Sequence, residues 1–115
     1  MAISEAYSGT ETVTNDEWSL TGDDTSLDAI TTDGCYQPWL DLSALAAGDI
    51  FEFKVYEKVV SGGTQRAAYV ATFAGVQGEP HWVGPTLILL HGWDMSLNKL
   101  SGTDRSITWS IRSVA

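Results

Sequence analysis

Apolar residues in this chain recur at every second position, and nowhere do they keep a helical spacing for longer than about a turn. In Ile50–Val60, Phe51, Phe53, Val55 and Val59 share one parity while Glu52, Lys54 and Lys58 share the other, the pattern of a strand with one buried face. Arg66–Ala74 repeats it with Ala67, Tyr69, Ala71 and Phe73. The intervening Ser61-Gly62-Gly63-Thr64-Gln65 is turn chemistry, so the two runs predict an antiparallel hairpin. Ser106–Arg112 alternates most strictly, which places Ile107, Trp109 and Ile111 inward and Thr108, Ser110 and Arg112 outward.

Shorter strands are expected elsewhere. Glu11–Thr14 and Glu17–Leu20 read as the ends of one early strand or as two short ones, and Cys35–Leu42 as another. Pro38 has no N–H to give a ladder, so that strand should be an edge or carry a bulge. The continuous apolar run Thr86–His91 suggests a strand covered on both faces, with Trp93–Leu97 continuing it past Gly92 or pairing beside it. Leu42–Ala47 alone has helical composition, and Gly48 stops it after about one turn. Without a helix long enough to cross between parallel strands, the sheets must be antiparallel. The expectation is one all-β domain over residues 1–115, an antiparallel β-sandwich of jelly-roll type, with an immunoglobulin-like sandwich as the alternative.

The chain has 115 residues, and a protein of this size buries about two thirds of its surface on folding, enough for a core without staples. Its single cysteine, Cys35, cannot close an intrachain disulfide, and Cys-based zinc motifs are excluded. Formal charge is −9, unevenly spread: residues 1–49 hold ten carboxylates and no Lys or Arg, while the remainder is almost balanced. Such a chain is not expected to bind nucleic acid or an anionic membrane unaided. Met1–Glu5 has neither a basic nor an apolar region of a signal peptide, and Leu87–Leu90 is too short to span a bilayer, so cytoplasmic synthesis is the expectation.

Chemistry-bearing motifs are few. Cys35 or a serine could pair with His81 or His91, and Asp94 follows His91 by three residues, yet neither a G-x-S-x-G elbow nor a cysteine-protease signature is present. No catalytic residue is assigned, and no cofactor. The acidic stretch Thr21–Asp28 departs from the EF-hand spacing and reads as a solvated loop, so no metal site is assigned either. Five tryptophans raise the question of a sugar-stacking platform. Trp109 lies on an inward parity, whereas Trp82 and Trp93, beside Gly and Pro turns, are the ones expected near a surface.

Two stretches carry a resemblance. Asp33-Gly34 through Tyr36, Trp39–Leu42, Leu45–Asp49, Phe51–Phe53, Tyr56–Lys58 and Gly62–Arg66, together with Leu87–Asp94 and Gly102–Arg112, resemble a group of small tailed-bacteriophage virion proteins. The likeness covers about residues 33–112. Within phage particles, such small β proteins resemble capsid decoration, or cement, proteins. The resemblance implies a virion location on the capsid surface, with the major capsid protein and further copies of the chain, often as a trimer, as partners. A tail or head–tail interface component and a carbohydrate-binding module are the alternatives. Residues 1–14 are expected to be either an extended arm or an edge strand that could pair with a neighbour. Ile3, Tyr7 and Val13 of that segment, with Trp82 and Trp93, are the candidate partner-binding residues.

Overall fold

In the computed structural model, which describes residues 2–114, the alternating segments become nine strands. They are β1 (Ile3–Val13), β2 (Trp18–Ser19), β3 (Gly34–Asp41), β4 (Ile50–Glu57), β5 (Arg66–Ala74), β6 (His81–Val83), β7 (Leu87–Leu89), β8 (Asp94–Ser101) and β9 (Arg105–Val114). The first sheet runs β1-β9-β3, with β6 and β7 end to end along the far side of β3; the second runs β2-β8-β4-β5. All described pairings are antiparallel.

Counting β6 and β7 as one interrupted strand pairs first with last, second with seventh, third with sixth and fourth with fifth. That is a ribbon folded over on itself, the wrapping of a jelly roll. An immunoglobulin-like sandwich would keep its first two strands in one sheet, but here β1 and β2 lie in different sheets.

Both inner faces follow the predicted parity. Ile107, Trp109 and Ile111 of β9 meet Phe51, Phe53 and Val55 of β4 in one core, with Met95 and Leu97 of β8 and Trp93 just before that strand. The indole N–H of Trp109 donates to the Leu20 carbonyl at 3.1 Å, so this large ring is buried with its polar atom satisfied. Gly9 pairs with Trp109 across β1 and β9, and a Cβ there would fall 2.6 Å from the indole. Only a glycine lets the edge strand lie this close.

Several expectations change. The β4–β5 hairpin forms, but β4 ends at Glu57: Lys58 N–H turns away to the His91 carbonyl, and Val59 is 94% exposed in the loop. Leu42–Ala47 is not helical; Leu45 N–H returns to Leu42 O and Asp49 N–H to Ala46 O, giving successive turns instead. Pro38 sits inside the first sheet rather than at its edge. It falls between the stretch of β3 that pairs with β6 and the stretch that pairs with β7, where no ladder donor is required. The run Thr86–His91 is covered on one face only, since Ile88 is 84% exposed. The chain then turns at Gly92, whose φ of 56° is in the left-handed region, and Trp93–Leu97 enters the other sheet.

Candidate functional site

Strand register sorts the first sheet's outward residues into rows. Ile3, Val114, Cys35 and Ile88 form one row across β1, β9, β3 and β7. Ile3 and Ile88 are 72% and 84% exposed, so this end of the sheet presents an apolar band to solvent. It reaches the open side of β1, which is the outermost strand of its sheet. A bulge between Glu5 and Tyr7 twists that edge without covering it.

The next rows are polar. Glu5, Arg112 and Gln37 lie side by side, then Ser8, Ser110, Trp39 and Val83, then Thr10, Thr108, Asp41 and His81. Ser110 Oγ donates to Glu5 at 2.5 Å, and the Thr10 and Thr108 hydroxyls bond at 2.8 Å. These rows line a shallow concavity of about 490 Å³. Trp39 lies in it with the Arg112 guanidinium 4.1 Å from its ring centroid, and its indole N–H donates to Gln37 Oε1 at 3.2 Å. Hydrogen bonds from Ser110 and Ser8 hold the Glu5 carboxyl below its ordinary range, and bonds from Ser43 do the same for Asp41.

The sequence-nominated residues fall on different sides of this wall. Ile3 is in the apolar band, and β1 as a whole is an edge strand paired with β9 along its length. Tyr7 points inward, edge-on to Trp93 with centroids 5.9 Å apart. Val13, 1% exposed, is core, so it offers a partner no surface. Trp93 is also fully buried: it packs on Tyr36 and gives its N–H to the Thr32 carbonyl at 3.1 Å. The Gly92 turn beside it marks a crossing between sheets, not an exposed tip. Trp82 pairs opposite Leu40 on the inner side and packs against Phe53 and Phe73. Trp39 is therefore the tryptophan on the outer face, and its outward parity relative to Leu40 and Leu42 was the available signal.

Two interior carboxylates act as structural anchors. Asp94 lies beneath the acidic loop and accepts from Ser19 Oγ, Thr21 Oγ1 and the backbone N–H groups of Asp28 and Met95, all within 2.8 Å. It binds the loop down, while the His91 carbonyl accepts from Lys58 N–H. Burial raises the Asp94 pKa against the opposing hydrogen bonds. Asp49 accepts from Thr103 N–H, Arg105 and Ala46 N–H, which together lower its carboxyl to about 2. Among the described residues, no group of three or more His, Cys, Asp or Glu side chains is placed to hold a metal ion.

No protein-family model matches the chain, and no curated protein matches it. Solved structures do. The chain is similar to a protein of Bacillus endospore appendages, which are disulfide-linked pili, with 12% identity over 98% of this chain and 87% of that one and a TM-score of 0.56. PirA is similar at 12% identity over 91% and 93%, TM-score 0.55. A mitogen derived from Yersinia pseudotuberculosis is similar at 11% identity over 99% and 86%, TM-score 0.51. What these proteins share with this chain is the fold. At such identity a common sandwich carries no common activity.

Proposed function

We propose that this chain is a structural subunit of a tailed-phage particle, made in the host cytoplasm, that decorates the head by binding the major capsid protein and further copies of itself. The observation that carries this reading is the exposed apolar row Ile3–Val114–Cys35–Ile88, running to the open β1 edge. An apolar band continuous with unpaired strand backbone is suited to an interface, because a partner can bury the side chains and complete the ladder together. The resemblance over residues 33–112 supplies the particle. The jelly roll supplies a frame that needs no disulfide and that holds both ends of the band on paired strands. The role is non-catalytic, and a trimer is the assembly that the resemblance implies.

Particles with and without the protein, heated side by side, test it. The protein should raise the temperature of genome release, and Ile88→Glu, exposed in the apolar row, should fold normally yet fail to bind and to protect. Equal release temperatures would reject the decorating role. Copy number separates the head from the tail: a lattice component is present in hundreds per particle, a tail component in few.

A further inference from the structure

We propose that the outer face of the first sheet binds a neutral glycan, with a pyranose ring stacked on Trp39 and its hydroxyls bonded to Glu5, Asp41 and the Ser and Thr side chains around it. This does not depend on the particle reading, and it moves sugar stacking away from Trp82 and Trp93, whose rings face the core.

Size is the first argument. The concavity of about 490 Å³ is within the range of small-ligand sites. The second is the aromatic floor. Trp39 is the tryptophan turned away from the core on this sheet, and its N–H bond to Gln37 fixes the ring. The Arg112 guanidinium stacked on it shows that a flat group approaching from the solvent side fits the indole face. Arg112 is otherwise tied through a 3.4 Å contact to Ser110, so a ligand can displace it toward the neighbouring Glu5.

The third argument is the arrangement of polar groups. Asp41 stands two residues from Trp39, about 7 Å along the same strand, and on the other side Glu5 of β1 reaches across to Ser110, the register partner of Trp39. Paired hydroxyls at Ser8 and Ser110, and at Thr10 and Thr108, add groups that both donate and accept. A sugar presents the matching chemistry: an apolar C–H face for the indole and a rim of hydroxyls that donate to carboxylates and accept from hydroxyls and guanidinium. The charge selects against the other small-ligand classes. Glu5 and Asp41 disfavour phosphates and polyanions even with Arg112 and His81, the latter 3.8 Å from Asp41, in the same lining, and Arg112 over the ring opposes a cation there.

Affinity electrophoresis tests the assignment, using native gels containing hydroxyethylcellulose, mixed-linkage β-glucan, galactomannan or dextran, with heparin as the charged control. The protein should be retarded by at least one neutral polymer and not by heparin. Trp39→Ala should abolish that retardation, Trp39→Phe should retain part of it, and Asp41→Asn should weaken it several-fold. Ile88→Glu, in the apolar row outside the concavity, should be retarded to the same relative extent as the unsubstituted protein, each compared with its own mobility in a polymer-free gel. Circular dichroism checks that each variant is folded. Retardation by none of the four polymers, retardation by heparin alone, or retardation unchanged by both Trp39→Ala and Asp41→Asn overturns the proposal.

Discussion

The two faces of the first sheet are built from the same strands and differ in nearly everything else. On the inner face of β9, Ile107, Trp109 and Ile111 are buried, and the one polar atom among their side chains is bonded to a carbonyl. On the outer face, one residue along, Thr108 bonds to Thr10, Ser110 to Glu5 and Arg112 to Ser110, with the Arg112 guanidinium over the Trp39 ring. Trp39 and Trp109 are the same residue type, one position out of register in adjoining strands, yet one fills the core and the other lies under an arginine. Parity on the strand decides which role a tryptophan takes. Residue type alone does not.

The largest effect should come from breaking the inner face. Trp109→Ala removes a buried ring and leaves the Leu20 carbonyl without its donor, at a cost of about 3–5 kcal/mol. Urea denaturation measures it, and a cost below about 1 kcal/mol would mean that the sandwich does not rest on this ring.

Next is the anchor beneath the acidic loop. Asp94→Ala strands four donors and should cost about 2–3 kcal/mol. The two interior carboxylates also predict opposite pH slopes. Burial raises the Asp94 pKa, so the folded state holds its proton more tightly than the unfolded chain, and this group's contribution declines as pH rises from about 4 through its folded pKa. Asp49, lowered to about 2 by Thr103, Arg105 and Ala46, contributes fully above about 4 and loses that contribution as pH falls toward 2. Thermal melts across this range should show Asp49→Asn destabilised at pH 7 and nearly level with the unsubstituted protein at pH 2. Asp94→Asn should flatten the opposite limb. The same slope from both would break the distinction between a carboxylate held by a cation and one held without.

The smallest effect on stability belongs to the outer face. Trp39→Ala should change it by less than about 1 kcal/mol while removing glycan retention. A loss as large as that of Trp109→Ala would make Trp39 a structural residue and erase the contrast between the faces.

Alternation was legible wherever a strand has one buried face, which is why β4, β5 and β9 could be read directly. Reading failed where a local signal had two tertiary meanings. Gly92 marks either an exposed turn or a crossing between sheets, and only the first meaning would put Trp93 near a surface. Pro38 marks either an edge or a gap in a partner strand. Val13 sits in a polar, threonine-rich segment, and nothing local shows that its end tucks into the core. The outer-face site was half visible: Trp39 and Arg112 are each on a readable outward parity, but their stacking joins residues 73 positions apart.

The sequence by itself determined that this chain is all-β, because period-two burial fits no helix and no crossover helix exists to join parallel strands. It also set which side of each long strand faces inward. Only the tertiary structure decided which strands are neighbours, since hydrogen-bonded backbone is the same at every position and cannot name its partner. Pairing β1 with β9 and β9 with β3 brings Glu5, Arg112, Gln37 and Trp39 onto one face, and pairing β3 with β7 completes the apolar band from Ile3 to Ile88. Both surfaces are products of long-range register, so no window along the chain contains either of them.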